Sequence, residues 1–102
     1  MNKSEEKYYN TILYPKFLAG DYLWVEYEPV KFNLAKRTTY TPDFMCLCKD
    51  GTIEVHEYKG FWEDDARVKW KVAAEKFWFY KWIAITGTGT KKKPYKKEVY
   101  GE

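Results

Sequence analysis

The chain is poor in the residues that build most small metal and redox centres: its 102 residues include one histidine and two cysteines. Cys46 and Cys48 lie two apart in an apolar stretch, so a strand would put them on one face. Neighbours of that kind are badly placed for a disulfide. A tetrahedral zinc site would need about two more good ligands than one histidine supplies. Core packing is therefore the expected role of both. Long hydrophobic runs are also absent, and nothing approaches the roughly 20 apolar residues that span a bilayer. The first residues, Met1-Asn2-Lys3-Ser4-Glu5-Glu6, contain no signal-peptide hydrophobic region. The expectation is a cytoplasmic protein with no membrane association.

What is present is aromatic and charged. Twenty-one per cent of the residues are aromatic and 32% are charged, as suits a folded globule rather than a disordered chain. A chain of this length has room for one core, so the same core must carry any site. The net charge of +3 is too small to identify a polyanion partner, but it is unevenly spread. Beyond residue 86, Lys91, Lys92, Lys93, Lys96 and Lys97 face only Glu98 and Glu102, whereas acids outnumber lysines over residues 1–28. The basic end is open to two readings, phosphate neutralisation or a solvated tail.

Ser4 followed by Glu5, Glu6 and Lys7 predicts a helix start, with Tyr8, Ile12, Leu13 and Phe17 as its apolar stripe. Gly20-Asp21 ends it. Residues 22–28 read as a strand stopping at Pro29, a second extended stretch is expected around Val30 to Leu34, and strand-forming residues return from Thr38 to Cys48. Pro42 is best tolerated at a strand end, bulge or edge. Lys49-Asp50-Gly51 is a hairpin turn signal, and Thr52 to Lys59 is the next strand. Asp64 or Asp65 then caps a helix to about Phe77, with Ala66, Val68, Val72, Ala73 and Phe77 on its buried side. Lys81 to Ile85 is the last clear strand, and Thr86-Gly87-Thr88-Gly89-Thr90 reads as a flexible link to the basic tail. Strand, helix, strand implies a crossover joining parallel strands. The expected class is α/β with a mixed sheet: a helix, an antiparallel meander, a helix and a parallel strand. The expected division is a domain over 1–90 and a tail over 91–102.

Along the strand at 52–59, Ile53, Val55, Glu57 and Lys59 share one face, while Glu54, His56 and Tyr58 share the other. A face that changes from Ile and Val to Glu and Lys runs from core to rim. Asp43 lies near the end of the hairpin partner, so two carboxylates and an ammonium meet. Like charges repel, and magnesium between two carboxylates removes that cost while leaving positions for water and phosphate oxygens. A lysine there can orient the attacking water and stabilise charge developing on phosphorus. His56, on the opposite face, reads as a packed or hydrogen-bonded histidine. The tryptophans read mainly as core, with Trp62, three residues past the motif strand, as the one to watch for base stacking.

Pro42-Asp43 followed by Glu57-Tyr58-Lys59 resembles the PD-(D/E)XK nuclease signature. Thr39-Tyr40-Thr41-Pro42-Asp43-Phe44, Glu57-Tyr58-Lys59-Gly60-Phe61-Trp62 and Asp64-Asp65-Ala66-Arg67 are similar to the bacteriophage endonuclease I family of Holliday-junction resolvases, loosely over Ser4 to Ile85. The resemblance implies a restriction-endonuclease-like core and a DNA endonuclease using Mg2+, with Mn2+ as substitute. It makes Asp43, Glu57 and the main-chain carbonyl of Tyr58 metal ligands and Lys59 the catalytic lysine. Glu5, with Glu6 as the neighbouring alternative, corresponds to the family's helix carboxylate. Arg67, Lys69, Lys91, Lys92 and Lys93 are candidate DNA contacts. Branched DNA as substrate, a homodimer, and a host cytoplasm for a phage-encoded chain are further expectations of the resemblance. A general or nicking endonuclease, or a DNA-binding module without turnover, are the competing readings.

Overall fold

Asp50-Gly51 closes the hairpin around which the sheet is ordered. Gly51 takes a positive φ of 93°, which glycine adopts without strain, and the Asp50 carboxylate accepts from the Thr52 amide at 2.9 Å. The computed structural model describes residues 1–102. In chain order its elements are α1 (Lys3–Tyr8), a π-helical segment (Tyr9–Leu13), α2 (Tyr14–Leu18), β1 (Tyr22–Tyr27), β2 (Phe32–Ala35), β3 (Thr38–Tyr40), β4 (Phe44–Cys48), β5 (Ile53–Tyr58), α3 (Asp64–Lys76), β6 (Lys81–Thr86) and β7 (Lys96–Val99). No helix is long and apolar enough to cross a membrane.

The main sheet runs β1-β4-β5-β6-β7, with β5 and β6 parallel and every other neighbouring pair antiparallel. The mixed α and β class and the parallel pair across α3 match the sequence reading. The meander is β1, β4 and β5. β2 and β3 form a separate two-stranded sheet, inserted between β1 and β4, which lies against α3. Pro42 falls between β3 and β4, where its missing N–H breaks no ladder.

Strand alternation gives the sheet two apolar faces. Met45, Val55, Trp82 and Ala84 point to α3 and the β2–β3 hairpin, joining Phe32, Leu34, Trp70, Ala73 and Ala74. Phe44, Cys46, Tyr58, Ile83 and Ile85 point to the N-terminal helix, joining Tyr8, Leu13 and Tyr22. The cysteines are both free, and Cys46 is core.

Four local expectations are corrected. Asn2, not Ser4, caps the first helix: its side chain accepts from the Glu5 amide and the Glu5 carboxylate accepts from the Asn2 amide, a reciprocal capping box. Of the expected stripe, Tyr8 and Leu13 are buried and Ile12 packs beside them, but Phe17, on α2 beyond the π-helical segment, is 41% exposed. Glu63 is the N-cap of α3, so Asp64 and Asp65 sit in its first turn. The buried stripe of α3 is Trp70, Ala73 and Ala74; Val68 and Val72, each two residues or about 200° round the helix from Trp70, face solvent.

The expected tail is also part of the fold. Residues 96–99 pair with β6 from Thr86↔Lys96 to Ile83↔Val99, and Tyr100 packs edge-on against Trp70 at 5.6 Å. The expected flexible link is an ordered turn in which the Lys93 carbonyl accepts from the amides of Thr88, Gly89 and Thr90. A Cβ on Gly87 would stand 2.1 Å from the Pro94 carbonyl oxygen, so glycine is required there.

The α3 assignment has a direct check by urea unfolding. Trp70→Ala should cost roughly 3–5 kcal/mol, and Val72→Ala should stay within about 0.5 kcal/mol of wild type.

Candidate active site

Asp43 follows Pro42 and enters β4, which pairs with β5, and its side chain turns into the interior with only 6% of the residue exposed. There Oδ2 accepts from the Tyr58 amide at 2.8 Å, while the Asp43 main-chain carbonyl accepts from the Glu28 amide at 2.8 Å. Glu57, 3% exposed, continues the β5 face that begins with Ile53 and Val55. Its Oε1 accepts a hydrogen bond from the Tyr40 hydroxyl, and Lys59 Nζ stands 3.5 Å from its Oε2. The Lys59 amide donates to the Ile85 carbonyl at 2.9 Å, which fixes the lysine to the end of the parallel pair while its side chain reaches the rim.

Asp43, Glu57 and Lys59 line one cleft of about 360 Å³. Glu5, Glu28, Tyr40, Thr41, Ala66 and Lys69 complete its wall. Glu5 is held by its capping role and by the Tyr27 hydroxyl, which donates to Oε1 at 3.0 Å. Glu6 is exposed and outside the cleft lining.

The electrostatics follow from burying two carboxyls together. Burial first, and then the charge of Glu57, push the Asp43 carboxyl up to about 9. Burial also raises Glu57, against the hydrogen bonds from Tyr40 and Asp43 and the charge of Lys59. Burial and Glu57 together raise the Tyr40 phenol, keeping it a donor. Without added positive charge the pair holds a proton at neutral pH.

No group of three His, Cys, Asp or Glu side chains is arranged to hold a metal ion unaided. The donor set still suits magnesium, which takes hard oxygen ligands, is commonly bound through one or two carboxylates, and keeps several of its waters. Asp43 and Glu57 are such a pair, buried without a full counter-charge.

The remaining predicted residues divide. Lys69 lines the cleft and donates to the Thr39 carbonyl at 3.3 Å. Arg67 is engaged elsewhere: its guanidinium forms a two-pronged pair with Glu98 at 2.9 and 2.8 Å and lies over the Trp62 and Trp70 rings. Lys91, Lys92 and Lys93 are exposed on the β6–β7 turn and do not line the cleft. His56 is buried on the far face, with the Tyr8 hydroxyl 2.7 Å from Nδ1 and the Glu54 carboxylate 2.8 Å from Nε2. Burial lowers its pKa; at Glu54 burial is outweighed by the hydrogen bonds from His56 and Tyr22, which hold that carboxyl at about 2.

Tyr40 and Glu28 are cleft residues that sequence reasoning missed. Tyr40 lies within the Thr39–Phe44 segment, but its contact with Glu57 depends on how the small second sheet docks. Glu28 carries a positive φ of 45°, a conformation uncommon outside glycine, just before Pro29.

No protein-family model, curated protein or solved structure matches the chain.

Asp43 should weaken the fold it belongs to. A carboxyl raised in the folded state contributes stability that is fully present below its unfolded value, about 3.9, and lost as pH rises towards 9. In metal-free buffer at pH 7, Asp43→Asn should therefore unfold at higher urea, by roughly 0.5–2 kcal/mol. The gain should shrink towards pH 4. A variant less stable than wild type at pH 7 would contradict the electrostatic account.

Proposed function

We propose that this chain is a magnesium-dependent DNA endonuclease with a restriction-endonuclease-like core and a preference for branched DNA. The observation that carries the reading is the meeting of Asp43, Glu57 and Lys59 in one cleft at the ends of two paired strands. Asp43 and Glu57 would hold the metal, joined by the Tyr58 carbonyl and, from the first helix, Glu5. Manganese is the expected substitute, having similar oxygen-ligand preference. Bound there, the ion supplies the positive charge that two adjacent carboxylates lack and withdraws electrons from a phosphate oxygen.

The chain's own groups account for the rest. Tyr40 fixes Glu57 in one rotamer through its hydroxyl, so the carboxylate faces the cleft without reorganising. Lys59 is tied at its backbone and free at its ammonium, close enough to Glu57 to stay in place and exposed enough to reach a phosphate. It orients the water for in-line attack and stabilises charge growing on the phosphoryl oxygens. Lys69 on the cleft wall meets the phosphate backbone, as the exposed Lys91, Lys92 and Lys93 do at longer range. Paired cuts across a four-way junction need two sites at fixed spacing, so the junction reading carries a homodimer with it. The reaction is placed in the cytoplasm, that of the host for a phage-encoded chain.

Purified protein with Mg2+ should cut labelled four-way junctions and flaps faster than linear duplex, and EDTA should abolish cleavage. Lys59→Ala should lower the rate roughly 10²–10³-fold, Asp43→Asn at least as much, and Glu5→Gln should cost more than Glu6→Gln. An Asp43→Asn protein that cuts as well as wild type sinks the mechanism. Equal cutting of duplex and junction leaves a general endonuclease, and salt-sensitive binding without cleavage leaves a DNA-binding module.

A further inference from the structure

β5 delivers Lys59 to the cleft and is followed at once by two aromatic residues that part company. Trp62 turns inward: it is half-buried, its ring 5.7 Å from that of Trp70, with the Arg67 guanidinium above it. The stacking expected of Trp62 therefore goes to other protein groups. Phe61 turns outward and is 75% exposed.

Phe61 lines a groove of about 370 Å³ with Lys59, Gly60, Glu63 and Ala66. Lys59 and Ala66 also line the Asp43–Glu57 cleft, so groove and cleft adjoin. Two residues of extended chain span at most ~7 Å, so Phe61 stands within a nucleotide or two of any phosphate that Lys59 contacts. The other two aromatics more than half exposed, Trp78 and Phe79, follow the far end of α3, about 20 Å of helix away.

The chemistry of the groove selects its occupant. Lys59 at the cleft side and Glu63 balance each other's charge, so the exposed ring between them suits the face of a neutral base rather than a second phosphate. In continuous duplex both faces of a base are covered by its neighbours, so Phe61 has nothing to stack on. A strand with unpaired nucleotides exposes such faces.

We propose that Phe61 is a stacking platform for an unpaired base flanking the cut phosphate, and that the substrate class is DNA with unpaired nucleotides beside the cleavage position. The proposal rests on the nuclease reading of the adjoining cleft and deepens it by naming the substrate feature. Phe61 is a specificity residue, separate from the groups that act on the phosphate.

The test is equilibrium binding in metal-free buffer, with 2-aminopurine at each unpaired position in turn of a flapped duplex. Wild type should quench one position beside the branch. Phe61→Ala, which touches an exposed side chain and should leave the melting temperature unchanged, should lose that quench and bind the flap roughly 5- to 100-fold more weakly. Its affinity for fully paired duplex should not change, and Phe61→Trp should restore both signals. A retained quench in Phe61→Ala, or an equal loss on both DNAs, overturns the proposal. Mg2+-dependent cleavage with no Phe61-dependent quench sinks the stacking and spares the nuclease. A Phe61-dependent quench without cleavage does the reverse, and no DNA binding at all sinks both.

Discussion

Two carboxyl groups share one buried corner beside the sheet's apolar face, and much of the fold is arranged to keep them there. Asp43 is held by the Tyr58 amide, Glu57 by the Tyr40 hydroxyl and Lys59. Each holder comes from a different part of the chain: the β5 backbone, the second sheet and the strand end beyond β5. An isolated carboxylate in such a place would be neutralised or expelled, so these contacts are what allow it to remain ionisable. The arrangement is destabilising by itself, since two carboxyls are buried together with only Lys59 as counter-charge.

The opposite face of β5 shows what a settled polar group looks like. His56 and Glu54 are also withdrawn from solvent, but Tyr8 and Tyr22 complete their hydrogen bonds, and Glu54 stays ionised. β5 thus carries a hydrogen-bonded pair on the face towards the N-terminal helix, and on the other face Glu57, which shares its corner with the like-charged Asp43. The contrast separates structural polarity from chemical readiness better than burial does, since Glu57 and His56 are equally buried at 3%.

The alternation of Ile53, Val55, Glu57 and Lys59 was legible because strand geometry leaves it one interpretation once Asp50-Gly51 sets the turn. Asp43 was legible for the same reason, as the residue that enters the partner strand. Ala73 and Phe77 of the expected α3 stripe do meet the core, but Val68 and Val72 read as core ahead of Trp70 and Ala74 because they are β-branched and apolar; what decides is the room under the sheet, which no local pattern encodes. Tyr40 could not be placed, since strand propensity does not say which sheet a strand joins. Arg67 reads as free in sequence because its partner, Glu98, lies in a segment that looks like tail and folds as β7.

That last strand also settles how the sheet meets the surrounding solution. β1 and β7 are its two open edges, and unpaired edges are templates for strand addition from other molecules. β7 offers Lys96, Lys97 and Glu98 in succession, all exposed, so an incoming strand would have to lie along three charges. The basic end of the chain therefore acts as a guard against edge-to-edge aggregation. The burden of avoiding it at the other edge falls on β1, where Leu23 is 56% exposed.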